Sequence, residues 1–104
     1  MSDTVGEMMI TLYKTDQQGR IHYYSIHDRQ THFFSPYALT VNWGNALSAG
    51  REKVYALGSR EEMDQTLQQL IQRRVTRGYR VLYSFFRNQE YKHLRPALKK
   101  AAVS

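Results

Sequence analysis

The chain has 104 residues, 41% hydrophobic and 23% charged, which is ordinary usage for one modest globular domain and excludes wholesale disorder. It contains no cysteine, which excludes a disulfide scaffold, a thiolate zinc site and a cysteine nucleophile and fits a reducing, cytoplasmic setting. The net charge of +6 is uneven: five Lys/Arg balance five Asp/Glu through Ser59, whereas ten face four from Arg60 onward, which suits a polyanionic partner as readily as a plain solvated surface.

Residues 1–7 read as a flexible, polar lead with no basic region ahead of an apolar run, and no later stretch approaches the length of a membrane span, so neither a leader nor membrane contact is expected. Met8 to Lys14 alternates Met8, Ile10 and Leu12 against Met9, Thr11 and Tyr13, the pattern of a strand with one buried face. Asp16-Gln17-Gln18-Gly19 supplies a turn, and the aromatic, β-branched stretch Arg20 to His27 completes a β-hairpin.

His32 to Tyr37 holds Pro36 and reads as an edge or a connection. Tyr37 to Trp43 gives the cleanest alternation in the chain, with Tyr37, Leu39, Val41 and Trp43 on one face. Gly44 to Gly50 reads as a hairpin loop whose glycines meet a need for positive φ, and Glu52 to Leu57 as the returning strand. By itself Trp43 reads as a buried anchor.

Ser59-Arg60-Glu61-Glu62 fits a capping box, with Glu62 reaching back to the cap amide. The helix it opens carries Met63, Leu67, Leu70, Ile71 and Val75 as one apolar stripe, and Gly78 suits its C-terminal stop. Arg74 falls within that stripe and is expected to snorkel to the helix end, the alternative being a carboxylate partner. Tyr79 to Phe86 then reads as a strand with Tyr79, Val81, Tyr83 and Phe85 on one face. Residues 87–104 form a basic extension around Pro96, open between a docked helix and a tail.

The expected architecture is an α+β fold, an antiparallel β-sheet of about five strands with one long helix, Arg60 to Arg77, packed on one face. Residues 8–86 would form the domain, between the lead and the basic extension.

The sequence offers little chemistry. His22 and His27 sit five apart on one strand and point to opposite faces, and His32 and His93 lie elsewhere, so the histidines read as structural or surface residues and no metal site is expected. No phosphate-binding glycine loop, catalytic triad or paired-carboxylate pattern stands out, and neither catalytic residues nor a cofactor are expected.

The combination of features is more specific. An aromatic strand ending in Trp43-Gly44, a loop closing on Gly50, a returning strand, a capped helix and Gly78-Tyr79 before a last strand resembles the WGR domain over roughly residues 10–84. That family is found in poly(ADP-ribose) polymerases and in bacterial proteins similar to a molybdate-metabolism regulator. Asn45 stands at the signature arginine, and Leu47 where a second loop glycine is usual.

The resemblance implies a non-enzymatic nucleic-acid-binding module, with DNA favoured over RNA. In the polymerases the tryptophan packs on a sugar or base near a DNA end and the arginine adds DNA and interdomain contacts. Carried onto this chain, Trp43, Gly44 and Asn45 form the contact, Arg51 is the expected substitute for the lost guanidinium, and Lys53, Arg73, Arg74 and Arg77 supply phosphate contacts. The alternative is a protein-interaction or regulatory module gripping a partner with the same loop.

Overall fold

The computed structural model describes residues 8–28 and 37–86. Expectations for residues 1–7, 32–36 and 87–104 lie outside those residues. In chain order the elements are β1 (Met8–Thr15), β2 (Ile21–His27), β3 (Tyr37–Asn45), β4 (Arg51–Leu57), α1 (Arg60–Thr76) and β5 (Arg80–Phe86). They build the expected α+β fold, a five-stranded sheet in the order β4-β3-β2-β1-β5 with every neighbouring pair antiparallel.

The β1–β2 turn is closed by one side chain. Asp16 Oδ1 accepts the backbone N–H of Gln18 at 2.8 Å and of Arg20 at 2.9 Å, while Gly19 takes a φ of 81°. At the other hairpin, β3 runs two residues further than expected, because Gly44 and Asn45 still pair with Tyr23 and His22. The loop is therefore 46–50.

α1 starts and stops where the sequence expects, with one change. Ser59 Oγ accepts from the N–H of Glu62 at 3.1 Å, but the Glu62 carboxylate reaches past the cap amide to the Gly58 N–H at 2.9 Å. At the C-terminus Gly78, at φ 97°, lets its own N–H reach the Val75 carbonyl and the Tyr79 N–H reach the Arg74 carbonyl, a complete Schellman stop.

β4 and β5 are opposite edges of the sheet, so α1 must carry the chain across all five strands. Four strand spacings span about 19 Å. Its 17 residues reach about 25 Å, enough for an oblique crossing. The crossing presses Met63, Leu67, Leu70 and Ile71 onto Ile10, Leu12, Ile26, Leu39 and Val41. Each fully buried Leu or Ile there contributes roughly 2 kcal/mol.

The expected facing of β5 is wrong beyond Val81. A register shift pairs Leu12 with Val81 but Thr11 with Tyr83, leaving Leu82 as the extra residue of a β-bulge. Val81 faces the helix and is buried, whereas Tyr83 and Phe85 turn to the opposite face. A period-two reading has no way to count an inserted residue.

Candidate nucleic-acid interface

Trp43 lies on the helix side of β3, two residues beyond buried Val41, where the sheet emerges from beneath α1. It is partly buried, packed against the edge of the core, with its ring 6.5 Å from that of Tyr24 on β2. It anchors the sheet edge and still presents surface. Arg51 is its direct cross-strand partner on β4, so both leave the sheet on the same face, and Lys53 follows on that face with Nζ 4.7 Å from the Tyr55 ring centroid.

The helix supplies the next cation. Arg74 does not snorkel to the helix end, and among the described residues it meets no carboxylate; its guanidinium lies 4.1 Å from the Tyr24 ring centroid and 5.7 Å from that of Tyr79. The reason is energetic: a ring face attracts the cation while its half-exposed position keeps much of its hydration. Burial raises the Tyr24 phenol above its usual pKa, and Arg74 opposes that shift. Beyond it, Lys14 Nζ sits 5.1 Å from the Tyr79 centroid and donates to the Arg77 carbonyl at 3.3 Å. Lys14, Tyr79, Arg74, Tyr24, Trp43 and Arg51 thus form a row of cations and rings along one side of the molecule, with Tyr24 and Trp43 as neighbouring rings.

Of the residues singled out in the sequence, Trp43, Arg51, Lys53 and Arg74 come together on this side. Arg73 is exposed on α1 beside them, and Arg77 turns to a cleft shared with Lys14 and Arg80. Asn45 has a different duty: its Oδ1 accepts the Leu47 N–H at 2.9 Å and its carbonyl accepts the Ser48 N–H, which fixes the turn of the loop.

The two loop glycines serve space rather than conformation. Among the described residues only Gly19 and Gly78 have positive φ. A Cβ on Gly50 would collide with the Tyr23 hydroxyl and come within 2.9 Å of the Trp43 carbonyl, and one on Gly44 would lie 3.0 Å from Gly50 Cα and 3.1 Å from the Tyr23 hydroxyl. Tyr23 is wedged under the base of the hairpin that carries Trp43.

Residues 8–86 match the family model of the WGR domain. The chain belongs to the WGR domain family. No curated protein and no solved structure matches it. A WGR domain is in general a nucleic-acid-binding module and not a catalytic one. No described helix is long and apolar enough to cross a membrane. Among the described residues no three His, Asp or Glu side chains gather as a metal site; His22 instead meets Asp16 Oδ2 at 2.9 Å.

Sequence reasoning missed Lys14, Tyr23 and Tyr24 as members of this WGR region. Alternation did carry a signal for Tyr24, which shares the buried face with Ile26. Lys14 carried none, because its partner Arg77 is 63 residues away.

Proposed function

We propose that this WGR domain binds DNA without catalysing a reaction, with Trp43 packing on a sugar or base near a strand end and Arg51 taking the place of the missing signature arginine. The observation that carries the reading is the Trp43–Arg51 cross-strand pair beside the Arg74–Tyr24 stack. A ring that keeps open surface and a guanidinium directly across from it can meet a terminal sugar and its phosphate together. Lys53, Arg73 and Arg77 lend further positive charge, while Gly44 and Asn45 hold the loop that borders Trp43.

Trp43 is the single tryptophan, so its fluorescence reads the site directly. Titration with a short duplex bearing a 5′-phosphate is expected to quench the emission saturably, and Arg51→Ala to abolish the quenching. With about four phosphates neutralised, affinity falls on the order of 100-fold between 50 and 200 mM salt. No quenching at low salt sinks the reading.

A protein partner is the second reading, favoured by Leu47, which is 86% exposed at the tip of the same hairpin. Contact through that leucine would change little with salt.

A further inference from the structure

The face of the sheet opposite α1 carries a second set of rings. Tyr13 of β1 faces away from the helix, and the bulge at Leu82 brings Tyr83 and Phe85 of β5 to the same side, opposite Thr11 and Met9. Tyr83 is 51% exposed and Phe85 40%, whereas Tyr24 and Tyr79 on the helix side are packed away. Neighbouring exposed aromatics on one face make a patch of the kind that marks interaction surfaces.

At one end this set runs into a shallow cleft lined by Tyr13, Lys14, Arg77 and Arg80. Three cations from β1, the end of α1 and β5 converge there. The carboxylate on the cleft wall, Asp16, is held well below the usual range by His22 above all, and its Oδ2 lies 2.9 Å from both His22 and Arg20. Its charge is therefore met by Arg20 and His22, neither of which lines the cleft. Lys14 also closes the cation and ring row of the Trp43 side, so the two faces join at this residue.

We propose that the sheet face opposite α1 binds a single strand of nucleic acid, stacking unpaired bases on Tyr13, Tyr83 and Phe85 and seating a backbone phosphate among Lys14, Arg77 and Arg80. Rings beside a positive groove are the composition that single strands require, because any base offers a π-face to stack. A paired duplex keeps its base faces inside and presents only edges. The cations in the cleft favour a polyanion over an apolar protein surface. The inference extends the DNA reading of the Trp43 side, and rests on it only for the idea that the strand arrives from a duplex end.

The test titrates the full chain with three labelled probes: a short blunt duplex, the same duplex with an oligodeoxythymidine overhang, and the free oligodeoxythymidine. The overhang is expected to tighten binding on the order of tenfold, the factor that one stacked base supplies. Tyr83→Ser removes most of that gain and leaves blunt-duplex affinity unchanged; Phe85→Ser repeats the test at a second half-exposed ring, with thermal midpoints checking that both variants are folded. An overhang that adds nothing, or a gain that survives both substitutions, overturns the proposal and gives the face to another partner. Loss of blunt-duplex binding alone, with the free strand still bound and sensitive to Tyr83→Ser, sinks the Trp43 reading and leaves this one standing.

Discussion

The two hairpins of this sheet both depend on glycine, for opposite reasons. At the β1–β2 turn Gly19 sits at φ 81° with nothing within 4 Å of where a Cβ would be, so the backbone conformation alone demands it. At the β3–β4 hairpin Gly44 and Gly50 have φ values open to any residue, and it is the Tyr23 hydroxyl and the crossing backbone that leave no room. One turn is a local device that would close the same way in another protein. The other is a fitted joint, and it holds the tryptophan.

Substitutions that separate conformation from space sharpen this contrast. The largest effect is expected at Gly50→Ala, where overpacking costs roughly 2–3 kcal/mol, read as a lower urea midpoint and a shifted Trp43 emission. Adding Tyr23→Phe should return part of the loss by removing the hydroxyl, while the Trp43 carbonyl contact remains; no return at all would break the spatial explanation. Gly50→Asn should fare no better than Gly50→Ala.

At Gly19 the pattern reverses. Gly19→Ala should cost about 1–2 kcal/mol because a Cβ is disfavoured at positive φ, whereas Gly19→Asn should cost clearly less, asparagine tolerating that region. Equal penalties for the two would show that space matters here as well.

A smaller effect belongs to the carboxylate that closes the same turn. Because the His22 hydrogen bond first, then backbone donors from Arg20 and Gln18, lower the folded pKa of Asp16, its contribution is fully present above about pH 4, the ordinary aspartate value. It is lost as pH falls below that value towards the lowered folded one. Denaturation across pH should show Asp16→Asn less stable than the parent at neutral pH, with the gap narrowing only below about pH 4. A gap that narrows near neutrality contradicts this assignment. The smallest change is expected for Leu47→Ser at the tip of the fitted hairpin, within about 0.5 kcal/mol in stability, while a protein partner, if one grips the loop, should bind measurably less.

What the sequence made legible follows the same division. The Asp16 turn, the Ser59 cap and the Gly78 stop were readable because their donors and acceptors lie within a few residues of one another. The side of β3 that carries Trp43 was readable because alternation is unbroken there. Arg74 was misread, since its ring partner Tyr24 is fifty positions earlier and the helical wheel shows only an apolar stripe. Tyr83 and Phe85 were assigned to the wrong face by one uncounted residue, Leu82. The loop glycines were explained by the commonest rule because the competing explanation sits on another strand, in Tyr23.

The strand order has a consequence for how the molecule is made. β1 lies between β2 and β5, so the earliest described strand finds one neighbour across a tight turn and waits for the other until α1 has been completed, Leu12 meeting Val81 only then. The meander from β1 to β4 pairs neighbours in chain order, whereas the β1–β5 ladder closes a long loop and is the slow, non-local step. While the chain is being synthesised, β1 therefore shows a row of unpaired backbone groups along one side, the state most prone to pair with another nascent copy. Premature termination ahead of Arg80 is accordingly expected to yield aggregated chains, because the strand that protects β1 is the last of the described strands to be translated.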